Sequence, residues 1–153
     1  MIEKTKIIMS ELGINGEIIE HPTINGTHSE NIAIALKIPL ENIIKCLILK
    51  SKKGDLLSAI ILGNQQLDLK KLETISQMKK FTFASEKLIK ESTGYSIGGV
   101  PLISVIHKMP VYVDKKVITK EFILGSAGTP YHGLKIDPKL LKRFNLTIAD
   151  IHK

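Results

Sequence analysis

The stretch NIIKCLILKSKKGDLLSAIIL, residues 42–62, decides the fold. Its two apolar runs read as strands built for burial, and SKKGD between them, with Gly54 and charged neighbours, marks a hairpin turn. Side chains alternate across a strand, so Ile43, Lys45, Leu47 and Leu49 share one face while Ile44, Cys46, Ile48 and Lys50 share the other. Lys50 abuts the turn and is expected in solvent. Lys45 is the anomaly, because it stands among aliphatic neighbours.

Burying an ammonium group without a partner is costly enough that it loses its proton or finds an anion. Spacing leaves two resolutions open. Either the strand sits at a sheet margin and Lys45 snorkels to water over its aliphatic stem, or a groove opens at this point. Cys46 points away from Lys45 and reads as a small core residue.

Outward from the hairpin, helices and strands alternate. Residues 2 to 12 place Ile7, Ile8 and Leu12 on one helical face, with Gly13 as a left-handed cap. GEIIEH is a short strand and HPTINGT a loop around the Asn25-Gly26 turn. Thr27 and Glu30 form a capping box for a helix that runs to Lys37 and stops before Pro39. Asp68 and Ser85 cap two later helices, Gly94 closes the second, and KKFTFA between them is a strand. Strands are expected at LISVI, PVYVD, EFIL and GLKID, followed by a last helix, KLLKRF, behind Asp137 and Pro138. The connections in the second half are too short for helical crossovers. The expected class is therefore α/β (α+β), with a curved, mixed, partly antiparallel, barrel-like sheet and flanking helices.

At 153 residues and 43% hydrophobic content the chain, 1–153, is expected to form one domain. A formal charge of +7 makes a polyanion, nucleic acid first, a candidate partner. Arg143 is the only arginine, and lysines act as hydrated point charges, better suited to phosphate attraction than to bidentate base reading. A lone cysteine excludes an internal disulfide, and the N-terminal segment lacks the unbroken apolar centre of a signal peptide, so a cytoplasmic location is expected. No run approaches the roughly 20 apolar residues of a membrane span.

Two glycine-rich segments are the other candidates for chemistry. STGYSIGGVPLIS, residues 92–104, gathers Gly94, Gly98, Gly99 and Pro101 into a tight loop whose amides could donate to a carbonyl or oxyanion. It fits neither a phosphate-binding Walker loop nor the dinucleotide fingerprint, and a purely structural turn is the alternative. LGSAGTPYHGLKI, residues 124–136, presents Ser126, Thr129 and His132 between Gly125, Gly128 and Gly133, either as a hairpin connection or as a wall of a pocket. The five histidines lack metal-ligand spacing, so no metal and no cofactor is expected.

Taken in order, EHP at 20–22, IIKCLIL around Lys45, NQQLDLKKLE from Asn64, STGYSIGGVP from Ser92, MPVYVD from Met109 and GLKI near the end resemble the YbaK/ProX family. These are aminoacyl-tRNA editing domains, free-standing or inserted in bacterial prolyl-tRNA synthetase. The resemblance implies a metal-free hydrolase that removes wrongly attached amino acids from tRNA, of the Cys- or Ala-tRNA(Pro) type, in trans. It implies that Lys45 positions the aminoacyl-adenosine end as the catalytic lysine. Gly98, Gly99, Pro101, Ser126, Gly128 and His132 would then bind substrate. Attack would come from water or from a group of the substrate, with no protein nucleophile. Mischarged tRNA is the implied partner, with prolyl-tRNA synthetase a second candidate. The alternative is a non-catalytic module of the same fold that binds tRNA or a synthetase. Two positions depart from the family pattern. Leu102 falls where a proline is common, with Pro101 one place earlier, and Ile19 replaces an aromatic residue. Both lie in pocket-forming segments, so the acyl group removed is left open.

Overall fold

Capping chemistry sets most of the elements where the sequence expects them. α1 (Ile2–Leu12) ends at Gly13, whose φ of +66° is the left-handed conformation that glycine adopts without strain. β1 (Glu17–Glu20) and α2 (Ser29–Leu36) follow. The computed structural model describes residues 2–22 and 29–153, so the Asn25-Gly26 turn and the Thr27 half of the capping box lie outside the described residues. β2 (Ile44–Lys50) and β3 (Leu56–Leu62) form the expected hairpin, paired from Ile44 with Leu62 to Lys50 with Leu56. α3 (Leu69–Ser76) is capped by Asp68, which accepts from the Lys70 and Lys71 amides. The strand in KKFTFA shrinks to β4 (Thr82–Phe83), and α4 (Glu86–Thr93) starts at Ser85 and closes at Gly94.

Two expectations fail in the second half. LISVI is not a strand but a short helix, α5 (Leu102–Val105), with all four residues buried and Ser104 Oγ donating to the Pro101 carbonyl at 2.7 Å. A segment apolar on every side carries no periodicity to separate helix from strand. KLLKRF is a 3-10 segment, Pro138–Arg143, rather than an α-helix, although Asp137 caps it as expected. β5 (Val111–Asp114), β6 (Ile123–Ser126) and β7 (His132–Ile136) are close to expectation, and β8 (Thr147–Ala149) was not anticipated.

The strands divide between two sheets, ordered β1-β7-β6 and β4-β2-β3-β5-β8. The pairs β3–β5 and β5–β8 are parallel and the rest antiparallel, which is the mixed sheet expected. Closure into a barrel is the part that does not hold. The sheets meet at an isolated bridge between Ile43 and Leu124, and neither sheet continues across it.

The alternation in β2 gives each face of the large sheet its own core. Ile44, Ile48, Ile60 and Leu62 join the main cluster with Tyr95, Ile103 and Val113, and Cys46 packs against it. Leu49, Leu57, Ala59 and Ile61 form a smaller cluster with Leu72, Phe81 and Ile151, against which Leu47 packs. Tyr95 is fully buried with its hydroxyl 3.1 Å from Thr5 Oγ1, which in turn donates to the Ala127 carbonyl. That chain of bonds ties α1 to the loop after β6. No helix among the described residues is long and apolar enough to cross a membrane.

Candidate active site

The outer edge of β2 is only partly covered. β4 pairs with it at Leu49 and Lys50, and the Ala84 amide reaches the Ile48 carbonyl. At the other end the Ile43–Leu124 bridge joins the second sheet. Between these contacts the edge opens on a cavity of about 360 Å³, at the small end of ligand sites. Because the Ile48 carbonyl faces β4, the two-residue repeat of the ladder turns the peptide groups of Cys46 toward the same open side.

Lys45, Gly98, Ser126 and His132 all line this cavity, so segments from three distant parts of the sequence converge there. Gly99, Pro101 and Gly128 do not line it. Gly99 packs toward the Gly128 carbonyl, where an added Cβ would lie 3.7 Å away, and Pro101 starts α5. The Gly128 amide donates to Ser126 Oγ at 3.1 Å, so its contact with the site is made through the serine. Gly98 has φ +77°, the conformation that turns the loop at the cavity wall. Thr129, which the sequence presents beside Ser126 and His132, lines the cavity too, and so do His21 and Phe83, which the sequence does not mark as site residues. His21 was legible only as part of EHP.

Lys45 is half-buried, and its ammonium lies 3.4 Å from the Gln65 backbone carbonyl, a long hydrogen bond. Among the described residues no carboxylate lies within ion-pairing distance of it. An ammonium carries three donors, so this one retains capacity for a ligand. Ser126 Oγ accepts from Gly128, which leaves its own proton to donate. His132 Nδ1 is 2.7 Å from Thr129 Oγ1, and that oxygen also accepts from the Tyr131 amide.

Cys46 lines the cavity as well, but burial pushes its thiol up to about 11 against the opposing hydrogen bond with Ser58. At neutral pH only about one part in ten thousand would be thiolate, too little for a protein nucleophile of the usual kind.

A second polar group lies on the far side of Gln65. Asp114 is fully buried, and each of its carboxylate oxygens accepts two hydrogen bonds: Oδ1 from His152 and the Ile151 amide, Oδ2 from Gln65 and the Lys116 amide. Burial alone would raise its pKa, but the bonds from His152, the two amides and Gln65 outweigh that and hold it below the ordinary carboxylate range. Asp150 completes a triad of oxygen and nitrogen donors with Asp114 and His152. Lys71 at 3.0 Å and Lys115 at 3.8 Å already offset the charge of Asp150, so the cluster reads as a saturated structural knot.

A profile of the aminoacyl-tRNA editing domain matches residues 23–144. A protein of Enterococcus faecalis described as "Putative Cys-tRNA(Pro)/Cys-tRNA(Cys) deacylase EbsC" is 32% identical over 124 residues, 80% of this chain and 76% of that protein. The proline–tRNA ligase of Kosmotoga olearia is 27% identical over 117 residues, 76% of this chain but 20% of the ligase. A solved structure described as "a putative trans-editing enzyme for prolyl tRNA synthetase" superposes with a TM-score of 0.86 at 23% identity, covering 99% of this chain and 96% of the other, a likeness that bears on the fold.

Proposed function

The chain belongs to the aminoacyl-tRNA editing domain family, and from that premise we propose that it is a trans-acting deacylase that hydrolyses the ester of a mischarged aminoacyl-tRNA. The observation that carries this reading is that Lys45, half-buried and without a carboxylate partner among the described residues, lines one cavity with Ser126 and His132. The substrate class is a prolyl acceptor tRNA carrying a small amino acid: cysteine, as the similarity to EbsC suggests, with alanine as the alternative. Such an enzyme would work in the cytoplasm alongside translation, with prolyl-tRNA synthetase as a candidate partner.

An aminoacyl ester is already activated, so catalysis needs orientation and stabilisation of the developing oxyanion more than a strong nucleophile. In the proposed reaction, water attacks the carbonyl carbon, or the thiol of a cysteinyl substrate does so and closes to a cyclic thioester that water later opens. The Lys45 ammonium and the free Ser126 hydroxyl proton donate to the carbonyl oxygen as it gains charge. The bond to the ribose oxygen then breaks, that oxygen takes a proton, and tRNA leaves with its hydroxyl restored. When water is the attacking group the free amino acid is released directly. Thr129 Oγ1 accepts from Tyr131 and can give its own proton to His132 Nδ1, which leaves the ring hydrogen on Nε2 as a further donor. Gly98, Gly99, Pro101 and Gly128 shape and support the wall.

The test is a panel of Cys-, Ala- and Ser-charged tRNAs, each timed for ester loss with and without protein. Accelerated loss of at least one, in preference to correctly charged Pro-tRNA, is the expected result. Binding of tRNA without turnover across the panel would replace the deacylase by a non-catalytic module.

A further inference from the structure

The cavity has a rim feature that the chemistry of ester cleavage does not require. Phe83 lines it yet is 61% exposed, on a two-residue strand at the edge of the large sheet. Its register partner is Leu49, so its ring shares the face of β2 that carries Leu47 and Lys45. Ile97, from the Gly98 loop, lines the same cavity and is 50% exposed.

The same edge is rich in lysine. Lys50 pairs with Thr82, the residue before Phe83, and the Lys52 amide bonds the Lys79 carbonyl at 3.0 Å. Lys53 and Lys80 flank them, and all five residues are exposed. Among the described residues none of the five is in an ion pair. Asp55 and Glu73 are the acidic residues bonded into this neighbourhood, Asp55 through its backbone carbonyl to the Ser51 amide and Glu73 through its carboxylate to the Lys80 amide, so five cations face two anions. Lysines on a short edge strand also serve to block edge-to-edge pairing, but an exposed phenylalanine on that strand works against such protection. A π-face beside a run of cations is instead the combination that holds single-stranded nucleic acid.

We propose that Phe83 is the platform on which the terminal adenine of the substrate's 3' end stacks, and that Lys50, Lys52, Lys53, Lys79 and Lys80 track the phosphates leading to it. The assignment rests on the deacylase reading for its substrate and adds the face by which the RNA arrives. With the adenine on Phe83, the acyl group it carries lies on the flank that holds Lys45.

The experiment measures the Kd for uncharged tRNA, and KM and kcat for a charged tRNA and for the corresponding aminoacyl-adenosine. The proteins compared are the parent, Phe83→Ala, Phe83→Trp and the double reversal Lys50→Glu/Lys79→Glu, each checked for an unchanged melting temperature. Phe83→Ala is expected to raise KM about tenfold on both substrates with kcat within about twofold, and Phe83→Trp to restore it. The double reversal should raise KM only on the charged tRNA and flatten the dependence of log Kd on log salt by about 0.7 for each phosphate no longer neutralised. Unchanged KM in Phe83→Ala, or equal losses for alanine and tryptophan, would overturn the platform. An unchanged salt slope would overturn the lysine track, and so would failure of the parent to bind tRNA at all. Should the parent bind tRNA through these residues yet cleave no ester, the deacylase reading falls and the binding face stands.

Discussion

Lys45 and Asp114 are two charged groups set against the large sheet, and they stand on either side of one residue. Gln65 accepts a bond from Lys45 on its backbone carbonyl and donates to Asp114 from its side chain. Asp114 is sealed from solvent and has four hydrogen bonds, two to each oxygen. Lys45 has one long bond and an open cavity beside it. A buried charge whose valences are filled by the protein stabilises the fold it sits in, whereas one whose donors are left over can act on something that arrives. The same sheet thus carries one charge that the protein satisfies in full and one that it leaves with spare donors, the one for which we propose a catalytic role.

The largest expected break in that contrast comes from Asp114→Ala. It leaves Gln65, His152 and two amides without their shared acceptor, and should cost about 3–5 kcal/mol of stability by denaturant unfolding. A loss below about 1 kcal/mol would mean that the knot is not structural. Acid should reveal the same charge more gently. The Asp114 pKa lies below its unfolded value, so the stability it lends is fully present above about pH 4 and is lost as pH falls through the lower folded value. Asp114→Asn should flatten that acid limb, and a parent-like slope in the variant would assign the limb to other groups. The smallest effect is predicted for Cys46→Ala. The thiol is kept protonated by burial, so deacylation should change by no more than about twofold, read as kcat/KM on the best substrate. A loss of a hundredfold or more would make the cysteine a participant.

What the sequence made legible follows from how local each signal is. Asp68, Ser85, Gly94 and Asp137 cap their segments because a cap depends on residues within one turn. The hairpin and its alternation were legible for the same reason, and with them the isolation of Lys45. LISVI resisted a correct reading because each residue of α5 is buried, so apolarity could not report a period. The split into two sheets turns on a contact between Ile43 and Leu124, far apart along the chain. The Asp114 knot draws on residues 65, 114, 150 and 152, and no spacing announces it. His21 and Phe83 likewise come to line the cavity only once β1 and β4 are folded against the rest of the chain.

The most direct test of the central claim is a paired measurement on Lys45→Ala: the single-turnover rate of ester loss from the preferred mischarged tRNA, and the free energy of unfolding. The account predicts a rate lower by about a hundredfold or more, the scale of losing one oxyanion donor, with stability within about 1 kcal/mol of the parent. A parent-like rate, whatever the stability, would contradict it.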